Sequence, residues 1–164
     1  MNTTKRANRK RLFFAFLLIE AIMVFLVSGC LTSGPIWVNI LGNQKMNVDD
    51  EKTNESHAVL VCLYMLRHNQ NFLLVPLEDF WQGGEKAFES DLVERKEIVL
   101  IPNAPEWPWV DLQFSKETRY FGVAADFRNP DRKEWRQIHD LAAKKPKQIW
   151  LTVGKNKIEI EKIK

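Results

Sequence analysis

The feature that most constrains this chain is the repeat of short apolar runs after residue 35, separated by turn-forming residues and, outside one stretch, without helical spacing. In "WVDLQF" (109–114), Trp109, Asp111 and Gln113 alternate with Val110, Leu112 and Phe114. In "NKIEIEKI" (156–163), Ile158 and Ile160 alternate with Glu159 and Glu161. Period two places one set on a buried face and the other toward water, which is the mark of half-buried strands. "IWVNILG" (36–42), "ERKEIVLIP" (94–102), "RYFGVAADF" (119–127) and "KQIWLTV" (147–153) read as further strands, and "VGKN" (153–156) as a tight turn between the last two. "HAVLVCLYML" (57–66) does not alternate, so it is expected to be a strand buried on both faces, with Cys62 inside the sheet.

One stretch breaks the β pattern. In "NFLLVPLEDFWQGGEKAFESDL" (71–92), Pro76 stands at a helix start, acids follow it, and Gly83-Gly84 form a stop. One or two short helices are expected there, with Phe72, Leu77, Phe80, Trp81 and Phe88 closing one end of the core. The polar segment between the first two strands, "NQKMNVDDEKTNES" (43–56), reads as a loop. Seven or eight short strands with a helical insertion after the second predict a mainly β, antiparallel two-sheet sandwich over residues 36–164.

The N-terminus belongs to targeting. A basic stretch (1–11) precedes an apolar run from Leu12 to Val27, broken only by Glu20, and then Ser28 and Gly29. That is the order of an export signal. A spanning helix wants about 20 predominantly apolar residues, and a carboxylate at its centre costs about 2.5–3.5 kcal/mol. Residues 1–29 are therefore expected to be cleaved. They carry a net charge of +4, which leaves −1 on the rest, so no basic surface invites nucleic acid.

Two cysteines permit one disulfide in an exported chain. However, Cys30 directly follows Val-Ser-Gly, and "VSGC" resembles a lipobox, in which the cysteine sulfur receives diacylglyceryl and becomes the first residue of the mature protein. Val27 and the interrupting Glu20 are mild departures from that pattern. An acylated Cys30 leaves Cys62 a free, buried thiol. Residues 30–35 then form a lipidated tether, and Leu31, where an aspartate commonly signals retention at the inner membrane, favours the outer membrane.

Chemistry-bearing motifs are scarce. His57, His68 and His139 have no neighbours at metal-ligand spacing, and the acids at 49–51 lack the spaced oxygens and glycine of a calcium loop. No nucleophile elbow, phosphate loop or zinc-protease motif occurs, so neither enzyme activity nor a metal or cofactor is expected. Trp107, Trp109, Trp135 and Trp150 are read as core side chains rather than a ligand platform. What remains is a tethered sandwich with a conspicuous polar loop, and loops on a rigid scaffold commonly carry recognition.

The order of segments resembles the type VI secretion system lipoproteins of the TssJ (SciN) type. The resemblance rests on the lipobox Cys30, "MNVD" (46–49) before the second strand, "AVLVCLYML" (58–66), and Phe72 with "EDF" (78–80). It continues through "DLVERKEIVLIP" (91–102) and "YFGVAADFR" (120–128) followed by Trp135-Arg136. "WQGGEKAFES", the wordy turn "PNAPEWPW" and the final "EKIK" depart from it. The resemblance implies a transthyretin-like sandwich facing the periplasm and a non-enzymatic role. That role is to anchor the secretion machine's trans-envelope complex to the outer membrane by binding the periplasmic region of TssM. It also implicates the first loop, which makes Asn47, Val48, Asp49, Asp50 and Glu51 contact candidates, with Met46 or Val48 as an apolar anchor. The alternative is a generic outer-membrane lipoprotein that binds a small ligand or client through its aromatic side chains.

Overall fold

A computed structural model of the protein describes residues 34–48, 54–141 and 145–164. The expected signal (1–29), the expected lipidation site Cys30 and the acids Asp49, Asp50 and Glu51 lie outside these residues. Eight strands are present: β1 (Gly34–Gly42), β2 (Val59–Leu66), β3 (Leu92–Leu100), β4 (Trp109–Phe114), β5 (Tyr120–Asp126), β6 (Arg136–Asp140), β7 (Gln148–Val153) and β8 (Ile158–Ile163). Between β2 and β3 come α1 (Gln70–Leu74), α2 (Leu77–Phe80) and a 3-10 segment, Gly84–Asp91.

The strands form two four-stranded sheets, one in the order β4-β1-β7-β8 and the other β3-β2-β5-β6. The mainly β sandwich expected from the sequence is thus present, with three differences. Pairing is antiparallel except between β1 and β7, which run parallel, with Trp37 opposite Gln148 and Gly42 opposite Val153. β1 begins at Gly34, which pairs with Phe114, so Gly34 and Pro35 belong to the sandwich and not to the tether. β6 was not expected at all: "RQIHD" is short and polar, and as an outer strand it needs no apolar run.

β2 is buried along nearly its whole length. Its alternate residues Val61, Leu63 and Met65 pair with Ala125, Val123 and Phe121 of β5. These buried side chains meet Ile36, Val38, Ile40, Leu112, Ile149, Leu151 and Val153 of the first sheet in one core. The other β2 face presents Cys62, Tyr64 and Leu66, and the helical insertion covers it. Tyr64 packs against Phe72, Phe80 and Phe88 at ring-centroid distances of 5.4, 6.1 and 5.6 Å, and Phe80 lies 4.9 Å from Trp135. Edge-to-face geometry prevails, as ring quadrupoles prefer. Gly122 of β5 lies beneath Phe72: a Cβ there would stand 3.2 Å from its ring. The five residues expected to close this end do so, with Phe72, Phe80 and Phe88 buried and Leu77 and Trp81 packed against them.

Short helices leave carbonyls unanswered at their C-termini. Arg136 answers those of α1, donating to the carbonyls of Phe72 at 2.6 Å, Val75 at 2.8 Å and Leu73, while its guanidinium stacks 4.6 Å from the Trp135 ring. Burial lowers the Arg136 pKa from its ordinary value. Gly83 turns the chain after α2 at φ 97°, a left-handed conformation that favours glycine. At one sandwich edge Lys96 of β3 reaches the Asp111 carboxylate of β4 at 2.9 Å, and Glu94 accepts the Gln113 N–H. The two sheets are thereby joined where their edge strands meet.

Phe72→Ala is expected to lower the unfolding free energy by about 3–5 kcal/mol, read by chemical denaturation. Leu74→Ala, two positions on but 77% exposed, should stay within about 0.5 kcal/mol of wild type.

Candidate partner interface

The loop singled out in the sequence leaves β1 at Gly42 and returns to β2 at Val59. Its base is built into the sandwich. Asn43 N–H donates to the Val153 carbonyl at 2.9 Å, Asn47 N–H to Gly154 at 3.2 Å, and Val48 N–H to Lys155 at 3.0 Å. The loop therefore lies along the β7–β8 hairpin, whose turn is closed by Gly154 N–H to the Lys157 carbonyl at 2.8 Å. An isolated antiparallel bridge pairs Val48 with Ser56 and closes the neck of the loop.

Asn47 holds this neck. Its amide nitrogen donates to the Ala58 carbonyl, and its amide oxygen accepts the Arg128 N–H at 2.8 Å from the β5–β6 connection. Its backbone sits at φ 49°, a left-handed position that asparagine tolerates better than most residues. Gly42 is needed for close approach: a Cβ there would meet the Trp107 ring at 2.4 Å and Met46 Sδ at 2.7 Å.

This geometry changes the roles expected of three side chains. Met46, Asn47 and Val48 are all buried within the chain's own fold. An apolar anchor for a partner needs area to give, and Met46 and Val48 have none left. Composition alone could not show this, because the burial depends on Ala58, Arg128, Gly154 and Lys155, all distant in sequence or across a turn. Asp49, Asp50 and Glu51 lie outside the described residues.

β1 is nine residues long, so its ends stand about 27 Å apart. Gly34 marks one pole of the sandwich, and Gly42, where the first loop leaves, marks the other. The β7–β8 hairpin and the β5–β6 connection share the loop's pole, through the contacts of Gly154 and Arg128 just described.

The tryptophans divide. Trp135 is buried, as expected of a core side chain, whereas Trp37 and Trp109 are each 46% exposed on the outward face of the first sheet. Trp109 leans edge-on against the half-buried Trp150 at 5.2 Å. A cleft of about 630 Å³ opens between β6 and β8, lined by Ile138, His139, Ile160 and Glu161 among others, and none of its lining residues is a tryptophan. Among the described residues no three His, Cys, Asp or Glu side chains are grouped as a metal site would require.

A second polar cluster lies under the insertion. The Tyr64 hydroxyl donates to Glu85, which Arg95 also contacts at 3.0 Å, and Arg95 reaches Cys62 Sγ at 4.0 Å. Cys62 is free and buried. Burial pushes its thiol up to about 11, outweighing the Tyr64 hydrogen bond and the Arg95 charge, which act the other way. Burial first, then the nearby Cys62 and Glu85, drives Tyr64 far above its ordinary range as well. Both groups are neutral in the fold, and a neutral thiol is a poor nucleophile.

Comparison with known proteins gives these elements a context. Residues 35–161 match the family T6SS-SciN, described as type VI secretion lipoprotein, VasD, EvfM, TssJ, VC_A0113. The chain belongs to the type VI secretion lipoprotein family. Its fold is similar to that of the T6SS lipoprotein TssJ1 from Pseudomonas aeruginosa, with TM-score 0.65, 23% identity, and coverage of 81% of this chain and 96% of that one. It is similar also to Serratia marcescens Lip, a membrane bound component of the type VI secretion system, with TM-score 0.66, 14% identity, and coverage of 78% and 97%. A third likeness is to the T6SS protein TssM C-terminal domain (869-1107) from EAEC, with TM-score 0.61, 19% identity, and coverage of 80% and 99%. At these identities each likeness is one of fold. No curated protein matches the chain.

Two outcomes are expected. Asn47→Ala should destabilise the protein by about 1–3 kcal/mol in denaturant titration, because the Ala58 carbonyl and the Arg128 amide lose their partner. For Cys62 the folded pKa, about 11, lies above the ordinary 9.0, so the thiol's contribution is complete below pH 9. It is then lost as pH rises toward 11, because the unfolded chain ionises first. Stability measured from pH 8 to 11 should fall more steeply for wild type than for Cys62→Ala; coincident curves would refute the assignment.

Proposed function

We propose that this lipoprotein is acylated on Cys30, sits on the periplasmic face of the outer membrane, and anchors the trans-envelope complex of a type VI secretion system by binding the periplasmic region of a TssM-type inner-membrane component. The observation that carries the proposal is the two-pole arrangement of β1. The strand starts four residues after Cys30 and ends where the first loop leaves, which supports a loop directed away from the lipid. Membership of the lipoprotein family supports the attachment and the machine.

The burial of Met46, Asn47 and Val48 supports a positioning role for them at the neck of the loop, and leaves Asp49, Asp50 and Glu51 as the contact candidates. Three acids in succession steer a basic partner surface and accelerate encounter more than they deepen affinity. Apolar contact area then has to come from elsewhere at the same pole, where the hairpin and the β5–β6 connection flank the loop. The function requires neither catalysis nor a cofactor beyond the covalent lipid.

The test is co-purification of the full-length lipoprotein with its TssM-type component from detergent-solubilised membranes. Failure of the wild-type pair to co-purify would sink the reading. Reversing Asp49, Asp50 and Glu51 to lysine should weaken binding about tenfold at low salt, mainly through association rate, with the melting temperature unchanged. Cys30→Ser should bind the component yet lose the outer-membrane fraction, and secretion with it.

A further inference from the structure

The pole at which β1 begins carries a charge pattern that the anchoring role does not by itself require. β1 and β7 run side by side with Trp37 opposite Gln148, so Lys145 and Lys147 stand beside the first residues of β1. Lys145 lies against Gly34: a Cβ there would come within 2.9 Å of its Nζ, which also sits 5.5 Å from the Phe114 ring. Lys147 N–H donates to the Lys164 carbonyl, placing the end of β8 next to it, and Lys116 follows Phe114, the partner of Gly34. Lys116, Lys147 and Lys164 are exposed and Lys145 is half-buried. None of the four forms an ion pair among the described residues, whereas Lys96 and Lys157 elsewhere are paired.

The acids at this pole do not cancel these lysines. Glu117 is held by Arg67, and Asp140 lies 3.4 Å from Arg119. Glu161 and Lys162 stand next to each other on β8 and offset each other. The body of the protein after residue 29 is slightly acidic, so a net positive rim here is a local arrangement and not a reflection of composition.

The length of chain outside the sandwich fixes what this rim can meet. Leu31, Thr32 and Ser33 separate Cys30 from Gly34, and four residue steps span at most about 14 Å. With a lipid on Cys30, Gly34 cannot leave the headgroup layer by more than that distance, which is under two Debye lengths of about 8 Å at physiological salt. Trp37, 46% exposed and three residues up the same strand, supplies an amphipathic ring of the kind that settles at a membrane–water interface.

We propose that Lys116, Lys145, Lys147 and Lys164 form a docking rim for anionic phospholipid headgroups, so that the sandwich stands on the membrane surface by its β1 starting pole. The proposal rests on acylation of Cys30 and adds to it an electrostatic second signal, which orients the domain and directs the first loop away from the bilayer.

The experiment uses the full-length acylated lipoprotein, purified from membranes and reconstituted into vesicles of phosphatidylcholine alone or with phosphatidylglycerol at about one lipid in three. Acetylation rates of single lysines, read by mass spectrometry at low salt, report which amines face the bilayer. Lys147 and Lys164 should react about fivefold more slowly in the anionic vesicles. Lys133, exposed in the β5–β6 connection, should be unchanged, and 0.5 M salt should restore the fast rates. A Lys147→Glu/Lys164→Glu variant should lose the lipid dependence of Lys145 and Lys116. Equal rates in both vesicle types, or slowing that ignores lipid charge and salt, would overturn the docking rim while leaving the anchor intact. Intact mass without the acyl increment would overturn both proposals, so the two failures are told apart.

Discussion

β2 cannot be left half-covered. Seven of its eight residues are buried, on both faces, and one sheet packed on another can cover only one of them. The second face, with Cys62, Tyr64 and Leu66, obliges the chain to bring a third layer, and the helical insertion directly after β2 is that layer. Its helices are too short to stand alone in water. They are held by what they cover, through Phe72, Phe80 and Phe88 around Tyr64, and by Arg136, which reaches the open end of α1. The small residues Gly122 and Ala124 opposite Tyr64 and Cys62 follow from the same need, since larger side chains would lift the aromatics off the sheet.

Much of this was legible because it depends on local periodicity. Alternation located "WVDLQF" and "NKIEIEKI", and its absence in "HAVLVCLYML" announced a strand without a wet face. What escaped depends on partners that the sequence does not name. The parallel β1–β7 pair comes from register between segments over a hundred residues apart, and no periodicity encodes it. β6 has no apolar stripe to betray it, because as an outer strand it needs only a backbone ladder with β5. The loop base misled for a related reason: "KMNV" reads as a polar loop by composition, yet Asn47 is buried because Ala58 and Arg128 converge on its amide.

The functional reading combines features of unequal visibility. The lipobox-like "VSGC" and the acids at 49–51 are plain in the sequence and lie outside the described residues, whereas the structure contributes the placement of β1 and of the loop's base. Lysines scattered at 116, 145, 147 and 164 carry no signal as a string. They become a rim only when β4, β7 and β8 bring their ends to the same pole as Gly34.

The placement of β1 has a mechanical consequence. A pull applied between the start of the strand and the loop at its far end acts along the strand axis. β1 lies between β4 and β7, bonded to both, and its ladders run perpendicular or slanted to that axis. Such a load shears the ladder bonds on both sides together instead of opening them one at a time. Shear shares force over the whole ladder, whereas unzipping concentrates it on a single rung. In the proposed anchoring role, with the lipid at one end of a central strand and the partner at the other, this arrangement is suited to hold tension across an envelope.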